Sequence, residues 1–174
     1  MNNLKNIYMD TNAVLKAGIV GLGGSLLMFI LLQLAISTGL APFNVPPSQA
    51  FLIKLGIDSQ ALAIIIHFLY GAFWSIMLVL FYGDDVNFGR GISLSVILWV
   101  LMMIVISPVV NWGFFGGGEN TLLDPTNKMY VEEGAKYPLA TLVVHLFYGL
   151  IIGWLDPNWA VSHLEEDDDE EFEE

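Results

Sequence analysis

The chain has no cysteine, so it offers no disulfide, no thiolate metal ligand and no thiol nucleophile. Positive charge is almost as scarce. Its six Lys and Arg residues stand singly along 174 positions, and no basic patch of the kind a nucleic acid needs is present. Carboxylates are missing from the interior of the long apolar stretches, so no acid and base pair can be assembled within one of them, and no serine stands in a nucleophile elbow. Gly116-Gly117-Gly118 lacks the strand before it and the Lys-Ser/Thr helix after it that a phosphate cradle requires. Nucleic-acid binding is thereby excluded, and enzymatic chemistry is not expected.

What the chain has is apolar length. It is 55% hydrophobic with a mean hydropathy of +0.63, beyond the range of ordinary water-soluble domains. A bilayer core about 30 Å thick needs about 20 residues of apolar helix, because lipid gives backbone groups no partner except one another. Four segments qualify: residues 17–39, 61–82, 91–110 and 138–155. The expected fold is all-α, a polytopic four-helix transmembrane bundle, with an N-terminal segment over residues 1–16. The formal charge of −12 does not contradict this. Nine of the 18 acidic residues fall between Glu165 and Glu174, and the other nine against six basic residues leave a net of only −3. Residues 156–174 read as an acidic, disordered tail starting at Asp156-Pro157.

The connections are unequal. A Pro-rich stretch, APFNVPPS, leads into SQAFLIKLGI, which suits a short interfacial helix; GDDVNFGR is a tight turn; the segment from Asn111 to Tyr137 is long and external. Lys5, Lys16 and Arg90 flank one side and Lys54, Lys128 and Lys136 the other, so the positive-inside count ties. Lys16 and Arg90 abut their spans, and cytoplasmic termini in the cell membrane are the expectation.

Two segments repeat. HFLYG at His67–Gly71 recurs as HLFYG at His145–Gly149, an offset of 78 that also places Gly71-x-x-x-Ser75 on Gly149-x-x-x-Gly153. Ile36-Ser37 near the end of span one matches Ile106-Ser107 near the end of span three. These matches suggest an internal two-helix repeat, whose halves would be related by a pseudo-twofold axis along the membrane normal. Small residues four apart let helix backbones approach closely, so Gly71 and Ser75, Gly149 and Gly153, and the stripe Ala17, Gly21 and Ser25 are expected packing faces.

The histidines need another explanation, since polar side chains in a span are costly and face the bundle interior. His67 and His145 each sit about 10 Å below the long-loop surface. Gln33 reaches the same level from the other direction, and its repeat counterpart is Met103. One layer is therefore expected to hold Gln33, His67, Tyr70, Met103, His145 and Tyr148. Three uses of it remain open: interhelical hydrogen bonding in an accessory or structural membrane component, ligation of a b-type haem by His67 and His145, and a pocket or path for a small solute or proton. No cofactor is expected outside the haem alternative, and the expected partners are the lipid bilayer with further copies or other membrane subunits.

The glycine-rich first span, PFNVPPSQAF, HFLYGAFW and SPVVNWGFFGGG together resemble small, uncharacterised four-helix membrane proteins of archaea and bacteria. That resemblance implies the topology and no activity.

Overall fold

A computed structural model describes residues 11–161. Residues 1–10, His163 and the acidic run from Glu165 lie outside the described residues. In chain order the elements are α1 (Thr11–Ser37), α2 (Pro47–Lys54), α3 (Gln60–Tyr82), α4 (Phe88–Leu101), a π-helical turn (Met102–Ile106), α5 (Ser107–Val109), α6 (Lys136–Leu155) and a second π-helical turn (Asp156–Val161). Four continuous helical segments, Thr11–Ser37, Gln60–Asp85, Phe88–Val109 and Lys136–Val161, are long and apolar enough to cross a membrane. The expected all-α four-helix bundle is what the chain forms.

Local chemistry sets the boundaries. The Ser59 side chain accepts from the Leu62 amide and opens α3, and the Asn87 side chain accepts from the Arg90 amide and opens α4. Pro47 begins α2 in the first turn, where its missing N–H costs nothing. Gly83, at φ 50°, ends α3. Pro108 lacks an amide hydrogen and its ring crowds the carbonyl four residues earlier, which accounts for the wide turn over Met102–Ile106 just before it.

The outward faces of these helices are apolar, as a lipid solvent would require. Leu15, Ile19, Leu22, Leu26 and Ile30 form an exposed stripe on α1, while Ala17, Gly21 and Ser25 are buried. Close contact replaces the hydrophobic drive that water would supply. An added Cβ on Gly21 would come within 2.5 Å of the Gly71 carbonyl oxygen, and one on Gly71 within 2.6 Å of the Ser25 Cβ. The other hairpin is built alike: a Cβ on Gly91 would lie 2.5 Å from both the Gly149 oxygen and the Gly153 Cα, and one on Gly149 would strike Ser95. Gly91 and Ser95 stand 70 residues after Gly21 and Ser25, the spacing that separates Ile36-Ser37 from Ile106-Ser107.

Helix α1 therefore packs against α3, and α4 against α6. The halves join mainly through α1 and α6, where the Tyr148 ring lies on Gly24. The matching pair, α3 and α4, barely touches. This unequal closure leaves a gap on one side of the bundle.

On the long-loop side the first and third loops fold into one cap. Phe43 stacks on Trp112, with ring centroids 5.6 Å apart, and both meet the edge of Tyr137. The Trp112 indole donates to the Met129 carbonyl at 2.8 Å, Asn44 donates to the carbonyls of Pro125 and Asn127, and Phe43 bridges Val131. The external segment is thus tightly folded, and SQAFLIKLGI does contain a short helix.

Two boundaries differ from the sequence expectation. Helix α1 starts at Thr11, inside the expected N-terminal segment. The fourth span does not stop at Leu155: Asp156–Val161 continues it, with Asp156, Ala160 and Val161 buried. An Asp-Pro pair looks like a helix stop because proline cannot donate to the helix ladder; a π-helical turn accommodates that missing bond here.

Candidate functional site: a cavity open to the bilayer

The open side of the bundle leads into a cavity of about 420 Å³. Ser25, Met28 and Leu32 of α1 form its back, Ile66, His67, Tyr70 and Gly71 of α3 one flank, and Leu98 and Leu101 of α4 the other. Thr141, Val144, His145 and Tyr148 of α6 complete the wall, and Pro46, Pro47, Ser48 and Phe51, where α2 begins, roof it on the long-loop side. The π-helical turn contributes Met102, Val105 and Ile106. Ile66 and Tyr70 on α3, and Leu101 and Val105 across the gap, are both cavity-lining and exposed on the apolar outer surface of the bundle. The mouth is lateral, between α3 and α4.

Four of the six expected layer residues, His67, Tyr70, His145 and Tyr148, meet here. Gln33 and Met103 do not line the cavity. Met103 is fully buried in an apolar cluster with Val110 and Trp112, under the external cap. Position along a span does not decide which residues face the cavity; helix rotation does.

The two histidines are held differently despite their matching sequence context. His67 Nε2 lies 3.0 Å from the Ser25 carbonyl of α1, across the α1–α3 contact. His145 Nδ1 lies 2.7 Å from the Thr141 carbonyl, one turn earlier on its own helix. A carbonyl only accepts, so each ring nitrogen must donate. In the neutral ring the other nitrogen, Nδ1 of His67 and Nε2 of His145, is then an acceptor. The tyrosines also diverge. The Tyr148 hydroxyl donates to the Gly71 carbonyl at 2.6 Å and ties α6 to α3, whereas Tyr70 is 48% exposed at the mouth.

No carboxylate lines the cavity. The Ser25 hydroxyl donates to the Gly21 carbonyl at 2.8 Å, so it is not paired with His67 as a nucleophile with its base. Among the described residues no group of three or more His, Cys, Asp or Glu side chains could hold a metal ion. A haem between the histidines would need a lone pair on each ligating nitrogen. The Nε2 of His67 is engaged as a donor, so this arrangement does not present a symmetric Nε2 pair.

Sequence reasoning missed Thr141, Gly91, Ser95 and Asp156. Gly91 and Ser95 had a legible signal in the 70-residue spacing. Asp156 had none, because it sits in a pair that reads as a helix terminator.

Compared with family models, with curated proteins and with solved structures, the chain matches none.

Proposed function

We propose that this protein is a non-enzymatic accessory component of the cell membrane, with cytoplasmic termini, that binds a membrane-dissolved molecule carrying a long apolar body and a hydroxyl-type head. The observation that carries this reading is the lateral mouth between α3 and α4. An aqueous solute would have to cross lipid to reach it, whereas a lipid-soluble one arrives by diffusion in the bilayer. The walls are predominantly apolar, which suits a hydrocarbon body. The acceptor nitrogens left on His67 and His145 suit a head group that donates a hydrogen bond. The alternative of a haem is disfavoured by the engaged Nε2 of His67, and that of a water-filled conduit by the apolar walls and the lipid-facing mouth. The matched Gly and Ser contacts in the two hairpins support an origin by duplication, followed by divergence of the two histidine environments.

A brominated long-chain alcohol, 9,10-dibromostearyl alcohol, tests the reading by quenching tryptophan fluorescence. The Trp99 indole donates to the Thr141 hydroxyl at 3.2 Å, so it reports on the cavity wall. Saturable quenching that disappears in Trp99→Phe and is competed by unbrominated stearyl alcohol is expected. His145→Phe should weaken the alcohol about fivefold, the value of one hydrogen bond near 1 kcal/mol, and leave a bromoalkane unaffected. Quenching that rises without saturation, as for any solute partitioning into the micelle, would overturn the reading.

A further inference from the structure

Among the described residues Asp156 is the one carboxylate that the fold carries into the interior: it is 0% exposed, at the point where α6 passes into the terminal π-helical turn. Its Oδ2 accepts a hydrogen bond from the Ser75 hydroxyl of α3 at 2.8 Å. Its Oδ1 is buried with no hydrogen-bond partner among the described residues. A buried carboxylate with an unmet oxygen is costly, and such groups in membrane proteins mark ion or proton paths. Nothing in the cavity's binding role, as read above, uses it.

The elements packed against the turn supply no counter-ion. On α1, the Lys16 ammonium lies 6.0 Å from the centroid of the Trp159 ring. On α6, Tyr148 donates to Gly71, and on α3 Tyr82 faces the guanidinium of Arg90. Beyond α3, Asp84 is exposed and Asp85 is 3.6 Å from Arg90. Among the described residues no ion pair reaches Asp156. A proton is therefore the simplest partner for Oδ1, since it needs no coordination shell. Asp156 lies eleven residues beyond His145, about 16 Å farther along the helix toward the terminal side.

The carboxyl is also connected to the cavity. Ser75 stands one helical turn after Gly71, and the Gly71 carbonyl takes the Tyr148 hydroxyl. Gly71 and Tyr148 both line the cavity. A ligand that displaces Tyr148 acts on the same turn of α3 that presents Ser75 to Asp156.

We propose that Asp156 is a proton-exchange site linked to the cavity, so that ligand occupancy and protonation of this carboxyl influence each other through Tyr148, Gly71 and Ser75. A hydronium from water on the terminal side gives up its proton, an O–H bond forms at Oδ1, and the carboxylate charge is discharged; release reverses the step. The linkage rests on the cavity reading above, whereas proton exchange at Asp156 is observable without any ligand.

Infrared difference spectroscopy of the detergent-solubilised full chain across pH is the test, with 9,10-dibromostearyl alcohol as the probe. A carboxylic-acid C=O band that grows as pH falls and is missing from Asp156→Asn is expected, and its midpoint should move when the probe is added. Probe affinity should change with pH by up to about tenfold per unit in the wild type, the limit for one linked proton, and be flat in Asp156→Asn. Should Asp156→Asn fail to fold, Ser75→Ala retains the carboxyl and should shift the frequency of the same band. A spectrum without such a band, or a band whose midpoint ignores the probe, overturns the proposal. Probe binding with the same pH profile in both proteins sinks the Asp156 site and leaves the cavity standing. A titrating band with no probe binding sinks the cavity reading, and the linkage with it.

Discussion

The hydroxyl of Tyr148 on α6 donates to the backbone carbonyl of Gly71 on α3 at 2.6 Å, joining the two copies of the His-x-x-Tyr-Gly segment across the bundle. The equivalent tyrosine, Tyr70, makes no such bond to Gly149 and stands at the open mouth instead. One tyrosine closes the bundle and the other borders its opening. Tyr148→Phe should therefore lower the unfolding free energy by about 0.6–2 kcal/mol, the range for interhelical bonds in membranes, while Tyr70→Phe leaves it unchanged. Thermal or SDS-induced unfolding in micelles measures both, and equal effects would contradict the division of roles.

The glycines separate contact from mere composition. Gly21→Ala and Gly91→Ala each place a methyl within 2.5 Å of backbone in the partner helix, and should cost about 1–3 kcal/mol or more as overpacking. Gly23 has nothing within 4 Å of an added Cβ, so Gly23→Ala should be neutral or stabilise α1 by up to about 1 kcal/mol. Matching losses at Gly21 and Gly91 are expected, because the two hairpins use the same contact.

The external cap depends on one indole. Trp112 is fully buried, stacks on Phe43 and donates to the Met129 carbonyl. Trp112→Ala should cost about 3–5 kcal/mol, and Trp112→Phe, which keeps the stack and orphans that carbonyl, about 1–3 kcal/mol. Protease cleavage within residues 119–135 should rise in the same order. Unchanged protection in Trp112→Ala would show that the cap is held by other contacts.

A surface ion pair between the two loops gives the cap an acid sensitivity. The Lys128 ammonium, 2.5 Å from the Asp58 carboxylate, holds that carboxyl below its ordinary range, with a smaller contribution from Gln49. A carboxyl depressed in the folded state contributes stability above its unfolded range and loses it as pH falls through its folded value. Both side chains are more than half exposed, so the loss is small and local. NMR titration should show the Asp58 carboxyl moving upward in Lys128→Ala, and hydrogen exchange around residues 127–131 should quicken in acid before the bundle responds.

The spectrum of protein expressed with ample haem bears on the remaining alternative. No absorption in the Soret region dependent on both His67 and His145 is expected, because with Nε2 committed to the Ser25 carbonyl His67 keeps a lone pair only on Nδ1, the ring nitrogen crowded by its own backbone attachment. A band lost in both His67→Ala and His145→Ala would reverse that conclusion.

Much of the molecule was legible in one dimension. The four spans follow from apolar length, and the Gly-x-x-x-Ser and Gly-x-x-x-Gly stripes follow from helical spacing, since both properties belong to single helices. His67, Tyr70, His145 and Tyr148 were legible as one group through their repeated context and shared depth. Gln33 and Met103 were not separable from that group, because depth says nothing about rotation. Met103 lies in the π-helical turn before Pro108, where the regular face of α4 is shifted.

By itself the sequence determined that four helices are long and apolar enough to cross a membrane, and which residues are small enough to let them touch. Tertiary structure alone decided that α3 and α4 stand apart, that Asp156 ends inside rather than at the surface, and that two equivalent histidines take different partners. Those outcomes depend on which distant segments come into contact and how each helix is turned when they do. Hydropathy and spacing along one helix carry no information about either.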